Sequence, residues 1–377
     1  MKIKRVSIYG FRNIEAAFLS PSESLNVLWG LNGQGKTNFL EAIYTTLRAK
    51  SFRPYSQKAD WFPLNNEINS KSEISIELEN SSGFITEVKM FSNSQGRWEH
   101  ALNQKKTNPH KLRTKIPIVV FSPDDHAMIR GAPEMRRDYY DEVLSDVCPG
   151  YAEVLDRFEE SLKSRNKILK RESEKAFREF TEELKAWTDI FVKCAWELCE
   201  LRTELWPQFA SRFEKLGKSL FQGLGVLQKI TWESDFKGSK RPTIEELKVF
   251  ILKDIEKDLV TGWTHRGPHR DDIKIQLDGV EARTSASQGQ ARLCALLLKW
   301  LHADWIMEDL NEIPIFLIDD LSSELDALRR RKLLELTQSI NGQIFVSTTE
   351  PVLVDLNPIS EYTKIFVEKG GFLVKNP

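Results

Sequence analysis

The sequence predicts an α/β domain with a mixed parallel and antiparallel sheet, interrupted by an inserted α-helical lobe. Three observations carry this prediction. Strand-forming runs gather at the two ends of the 377-residue chain, the stretch between them is charged with helical apolar spacing, and a glycine-rich loop joins a buried strand to a helix near the N-terminus. A chain of this length suits a large domain with an insertion, or two lobes, and buries a sizeable core.

The opening MKIKRVSIYGFRN alternates at Ile3, Val6 and Ile8 and then turns at a glycine, which is a strand signature. LNVLW (25–29) is a short apolar run ending at Gly30 and reads as a buried strand. From Lys36 the spacing of Phe39, Leu40, Ile43 and Leu47 is helical. SEISIELE (72–79) and GFITEVKM (83–90) alternate about a Ser-Ser-Gly turn, followed by RWEHAL, and predict an antiparallel hairpin or meander. IPIVVFSPDD (116–125) is a buried strand broken at Pro123. From Pro133 to about Leu259 the chain turns helical and rich in Glu and Lys, with GLGVLQKITWES (223–234) as a candidate strand inside the insertion. Strand signals return in IKIQL (273–277), IPIFLID (313–319), GQIFVST (342–348) and KIFV (364–367). The expected division is 1–130 for the N-terminal part of the sheet domain, 131–262 for the helical lobe and 263–377 for the C-terminal part of the sheet domain.

The charges nearly cancel, with 54 basic against 55 acidic residues, so contact with nucleic acid would have to come from local basic patches. Cys148, Cys194, Cys199 and Cys294 lack metal-ligand spacing, and Cys194 and Cys199, five apart in a helical context, read as packing residues. The N-terminus has no apolar signal core, and no run of about 18 apolar residues occurs. The expectation is a cytoplasmic protein with no membrane partner.

Gly30-Leu31-Asn32-Gly33-Gln34-Gly35-Lys36-Thr37 fits G-x-x-x-x-G-K-[ST] between a buried strand and a helix. In such a loop the glycines let backbone N–H groups turn toward phosphate oxygens. Lys36 reaches the β- and γ-phosphates, and Thr37 offers its hydroxyl to Mg²⁺. The plain alternative is a glycine-rich turn that caps a helix. IFLIDD (315–320) supplies the acid such a loop needs: Asp319 as the Mg²⁺ partner, directly or through water, and Asp320 to orient or deprotonate the attacking water. Two aspartates can also merely end a strand, but these follow the loop at nearly the full length of the chain. The cofactors expected are therefore ATP and Mg²⁺.

That separation, with a helical lobe and then Ser287-Gln288-Gly289-Gln290 before the acid pair, resembles the order of the ABC-type ATPases. SELD (323–326) is similar to their D-loop. FRN (11–13), GLNGQGKTNFLEAIY (30–44), SFR (51–53), FSPDD (121–125), RRDYYD (136–141), GPHRDD (267–272), SQGQARLCALLLK (287–299), DDLSSELD (319–326) and FVSTTE (345–350) follow in order the patterns of one branch. From end to end the chain resembles the RecF family of bacterial recombination and repair ATPases, within the SMC-like ABC ATPase superfamily.

The resemblance implies a P-loop ABC-type ATPase head, in which Asn32, Asn38 and Arg12 with Asn13 lie near the nucleotide. It implies that Ser287 and Gly289 touch the γ-phosphate of ATP held by a second copy, with a helix N-terminus aimed at it. Asp326 would sit at the dimer seam, and Thr348 or Thr349 would stand where transporters carry a switch histidine. Ser122-Pro123-Asp124 replaces their Q-loop glutamine and Asp320 replaces their glutamate, which implies a slow, DNA-stimulated ATPase. The implied partners are a second copy, double-stranded, gapped or junction DNA, and RecR and RecO. KKTNPHKLRTK (105–115) and RFEESLKSRNKILKR (157–171), with Lys163, Lys167, Lys170 and Arg171 near helical spacing, are the candidate DNA contacts. His269, Arg270 and Asp271 read as a turn before IKIQL, placed near the junction of the lobes. The rival readings are another SMC-like ATPase, an ABC transporter energy subunit and a P-loop small-molecule kinase.

Overall fold

Alternating runs and continuous apolar runs separate into different sheets, because the former bury one face and the latter both. A computed structural model describes the chain apart from residues 54–55, 64–70, 81, 109–111, 113–115, 176–178, 221–227, 237–240, 321–341, 351–361 and 376–377. It divides into two compact units, Met1–Asp125 with His302–Pro377, and His126–Leu301.

In the first unit the alternating strands β1 (Lys2–Phe11), β2 (Ile14–Leu19), β4 (Glu73–Glu79), β5 (Ile85–Ser92), β6 (Trp98–Leu102) and β7 (Lys105–Thr107) form an antiparallel sheet ordered β2-β1-β4-β5-β6-β7. The apolar runs β3 (Leu25–Trp29), β8 (Ile118–Phe121), β12 (Ile315–Ile318) and β13 (Ile344–Thr348) join β14 (Tyr362–Glu368) and β15 (Gly371–Lys375) in a second sheet, ordered β15-β14-β3-β13-β12-β8. Its pairings are parallel except that of β14 with β15. Helix α1 (Lys36–Arg48) packs against both sheets, and its Phe39, Leu40, Ile43 and Leu47 share one core with Ile3, Ile8, Ile74, Leu28 and Leu317.

The second unit holds α2 (Ala127–Arg130), α3 (Pro133–Val147), α4 (Tyr151–Ser173), α5 (Glu182–Leu220), α6 (Ile244–Leu252) and α7 (Ile255–Thr261). It also holds a small antiparallel sheet ordered β11-β10-β9, from β9 (Gln228–Glu233), β10 (Asp272–Leu277) and β11 (Val280–Glu281). The strand foreseen inside the insertion is β9. Residues 263–301, expected with the sheet domain, fall in this unit instead, because β10 pairs with β9 along its length. The division falls within α9 (Gln288–Leu310), which follows the short α8 (Ala282–Ser285).

Two of the recurring motifs turn out to bond each other. Arg136 makes a two-pronged pair with Asp272 at 2.9 and 3.1 Å, and Arg137 donates to the Asp271 carbonyl at 2.6 Å. Asp141 holds the buried Arg202 at 2.6 and 2.8 Å, while Arg202 also donates to the Pro268 carbonyl and faces the Trp232 ring. RRDYYD and GPHRDD are therefore two sides of one buried polar network, and all of these partners lie within this unit. Burial of this kind makes the loss of a single member costly, since the remaining charge stays in a low-dielectric site. Asp141→Ala should destabilise this unit by about 3–5 kcal/mol. Tyr140→Phe, which loses only the hydroxyl bond to the Arg202 carbonyl, should cost about 1 kcal/mol. Urea denaturation of the full chain followed by tryptophan fluorescence separates the two.

Candidate nucleotide site

β3 ends at Trp29 inside the parallel sheet, and the chain must leave it and turn directly into α1. Two glycines allow that turn. Gly30 has φ 153°, and a Cβ there would lie 2.3 Å from the Val367 carbonyl oxygen; Gly35 has φ 115°, caps α1, and would press a Cβ on Asn13 Oδ1 at 3.0 Å. The tip from Leu31 through Asn32 to Gly33 is exposed. Gln34 is fastened to the β14–β15 turn, its side-chain oxygen accepting from the Lys369 N–H at 2.7 Å and its carbonyl from the Gly370 N–H at 2.9 Å. Lys36 is buried and donates to the carbonyls of Gly30 and Leu31 at 2.7 and 2.8 Å. Burial lowers its pKa, against the opposing pull of Asp320 and Asp319.

β12 delivers the acid to the same edge. Asp319 Oδ1 accepts from Thr37 Oγ1 at 2.8 Å and from Ser347 Oγ at 2.7 Å. Burial raises the Asp319 carboxyl pKa, opposed by those two hydroxyls and by the charge of Arg53. Asp320 takes a positive φ of 46°, and its N–H donates to Ser347 Oγ at 2.8 Å. Ser347 lies on β13, the strand between the loop strand β3 and the acid strand β12, so it touches both aspartates. Sequence reasoning missed it because its role depends on strand order.

A second missed group supports the loop from beneath. Glu41 of α1 is fully buried, and Arg12 meets it twice, by an Nη2 hydrogen bond at 2.8 Å and by an unaligned Nε–Oε2 ion pair at 2.7 Å. Arg53 reaches the same carboxylate at 3.2 Å, and Ser51 donates to it at 2.6 Å. Arg53 also donates to Asn38 Oδ1 at 2.5 Å, and Asn38 donates to Asn13 Oδ1 at 2.6 Å. The signal available in the sequence was the pair of FRN and SFR, whose arginines share one carboxylate.

The structure thus brings together Gly30, Asn32, Gly33, Gly35, Lys36, Thr37, Asn38, Arg12, Asp319 and Asp320. Thr348 is buried at the end of β13 with its hydroxyl engaged in its own turn, donating to the Glu350 carbonyl at 3.1 Å and accepting from the Glu350 N–H at 3.2 Å. Asp326 lies outside the described residues. Ser287 and Gly289 belong to the second unit. There Ser287 and Gln290 cap α9 reciprocally, at 3.2 and 2.8 Å, and Ser287 is exposed. In the basic stretches, Lys106 pairs with Glu99, Arg157 with Glu197 and Arg171 with Glu183, whereas 109–111 and 113–115 lie outside the described residues.

The family model for the RecF/RecN/SMC N-terminal domain matches residues 2–372. The chain belongs to that family. DNA replication and repair protein RecF of Chloroherpeton thalassium is 32% identical over 363 residues, covering 93% of this chain and 95% of that protein. RecF of Desulforudis audaxviator is 31% identical, over 94% and 95% of the two chains. A solved structure of the recombination mediator protein RecF with ATP aligns with a TM-score of 0.86 at 25% identity, over 100% and 98% of the two chains. An SMC head bound to a winged-helix domain of ScpA shares the fold, with a TM-score of 0.55 at 15% identity. The chain is thus a RecF-type ATPase of the SMC/ABC kind, with an ATP-dependent role in DNA replication and repair.

Asp319→Asn keeps an acceptor for both hydroxyls and removes the buried charge. A carboxyl held above its ordinary value of 3.8 costs the fold stability as pH rises from that value through its folded pKa. The variant without nucleotide should therefore melt at a higher temperature than the parent at about pH 8, with the gap closing toward about pH 4. Thermal melting at both pH values measures this.

Proposed function

We propose that the chain binds ATP with Mg²⁺ at the loop Gly30–Thr37, closes with a second copy into an ATP-sandwiched dimer, and in that state clamps double-stranded or gapped DNA. The observation that carries the reading is the 2.8 Å bond from Thr37 to Asp319, which joins the helix after the P-loop to the strand that ends in the acid pair. A hydroxyl and a carboxylate so placed are hard oxygen donors suited to Mg²⁺, which takes one or two carboxylates together with phosphate oxygens. Thr37 and Asp319 would hold the Mg²⁺, which when bound would supply positive charge to offset that of the phosphates.

The chain's own residues do the rest. The first-turn N–H groups of α1 face an anion, and Lys36 exchanges its two carbonyl partners for β- and γ-phosphate oxygens. Asp320, set apart from Asp319 by its left-handed backbone, orients or deprotonates the attacking water. Arg12 and Asn38, tied into the Glu41 network, hold the flank of the loop. Ser287 and Gly289 of one protomer reach the γ-phosphate bound by the other, with Asp326 at the seam and Thr348 as the residue in the switch position. ATP then joins the two copies and slow hydrolysis releases them. DNA-stimulated turnover, recombinase loading together with RecR and RecO, and a cytoplasmic location complete the reading. Among the described residues no helix is long and apolar enough to cross a membrane.

Sedimentation with and without ATP and Mg²⁺ tests this. The parent chain should be a monomer alone and a dimer with ATP, and Ser287→Arg should stay monomeric while still binding ATP. A parent that remains monomeric with ATP sinks the sandwich. With ATP present, duplex DNA should shift with the dimer in a gel; equal binding with and without ATP counts against the clamp.

A further inference from the structure

Trp263 is 57% exposed in the loop after α7. The residues on either side fasten it to α4. Gly262 ends α7 with φ 76°, its N–H donating to the Asp258 carbonyl, and it lies so close to α4 that a Cβ would sit 3.1 Å from Lys170 Cα and 3.1 Å from Ser173 Oγ. Thr264, on the other side, donates to Asn166 Oδ1 through its N–H at 2.9 Å and its hydroxyl at 2.7 Å. The indole is thus presented from a fixed backbone beside the turn of α4 that runs from Asn166 to Lys170.

That turn carries unpaired positive charge. Lys163, Lys167 and Lys170 are exposed and recur at the four- and three-residue steps that share a helix face, and their ammonium groups make no hydrogen bond or ion pair among the described residues. Nearby carboxylates are already engaged: Asp258 with Arg165 and His265, Asp254 with Arg266, and Glu172 and Glu183 with Arg171. Glu159 and Glu160 bound the stripe at its N-terminal end. The lysines span about 10 Å along the helix, with a flat aromatic surface at one margin.

We propose that this face binds unpaired DNA, with phosphates on Lys163, Lys167 and Lys170 and a base stacked on Trp263. It rests on the DNA reading above and narrows it to the single-stranded side of a gap or junction. The chemistry favours a single strand because base faces are hidden inside a duplex, where an indole gains nothing, whereas any unpaired base offers a face to stack. The lysines attract the backbone without reading sequence.

The test is fluorescence polarisation of the full chain with a labelled oligo-dT and with a blunt duplex of equal length, over a salt series, with and without ATP. Trp263→Ala should weaken oligo-dT binding about five- to a hundredfold. Trp263→Phe should retain most of the affinity, and duplex binding should stay within about twofold for both variants. Lys163→Ala/Lys167→Ala/Lys170→Ala should lower the slope of log K against log salt for oligo-dT by about 2. Parental oligo-dT affinity in Trp263→Ala, or an equal loss on duplex, overturns the proposal and leaves the face to a partner other than unpaired DNA. A parent chain that binds duplex with ATP but never oligo-dT overturns this proposal alone. Binding to neither overturns the DNA reading as well.

Discussion

Buried at the end of β12, the Asp319 carboxylate accepts from Thr37 on one side and Ser347 on the other. This is possible only because β13 lies between β3 and β12 in the parallel sheet. Strand order brings residues 282 positions apart to 2.8 Å and places a serine where it meets both aspartates. An ionised carboxylate in so dry a place is unfavourable by itself, and two hydroxyl donors only partly offset that. The same carboxylate is therefore suited to a cation. The fold holds a group whose full stabilisation arrives with its ligand, in keeping with function placed at sites of local strain or desolvation.

Around that centre the loop is braced from two directions. The β14–β15 turn grips Gln34 through two backbone N–H groups, and the Glu41 carboxylate gathers Arg12, Arg53 and Ser51 beneath α1. The first support is remote in sequence, Lys369 lying 335 positions from Gln34, so a late turn of the chain helps set the geometry of an early loop. In the second unit the same economy of charge recurs: Arg202 and Arg136 are buried against Asp141 and Asp272. Such pairs need add little net stability over apolar residues of the same shape. Here they join α3 to α5 and to the first residue of β10.

Much of this was legible in the sequence, and the omissions have physical causes. The P-loop announces itself because its glycines, lysine and threonine are contiguous, and the acid strand because an apolar run ends in two aspartates. Alternation marked IKIQL as a strand but could not name its sheet, since a period of two records that one face is buried and not against what; hence β10 was assigned to the sheet domain although its partner is β9. Ser347 and Glu41 carry no local signal, because a serine in an apolar strand and a glutamate in a helix acquire roles only through tertiary neighbours. The Ser287 stretch shows the limit from the other side. Its polar head satisfies an ordinary reciprocal cap with Gln290, so local geometry alone does not demand a second copy.

That second copy is the central claim, and mixing two inactive variants tests it most directly. Lys36→Ala removes the phosphate ligand from a protomer's own site, whereas Ser287→Arg spoils what the protomer offers to its partner. Each variant alone should hydrolyse ATP at background rate. A mixture can form heterodimers with one intact composite site, and its turnover should rise well above that of either variant alone. No recovery on mixing, or parental activity in Ser287→Arg alone, would contradict the account.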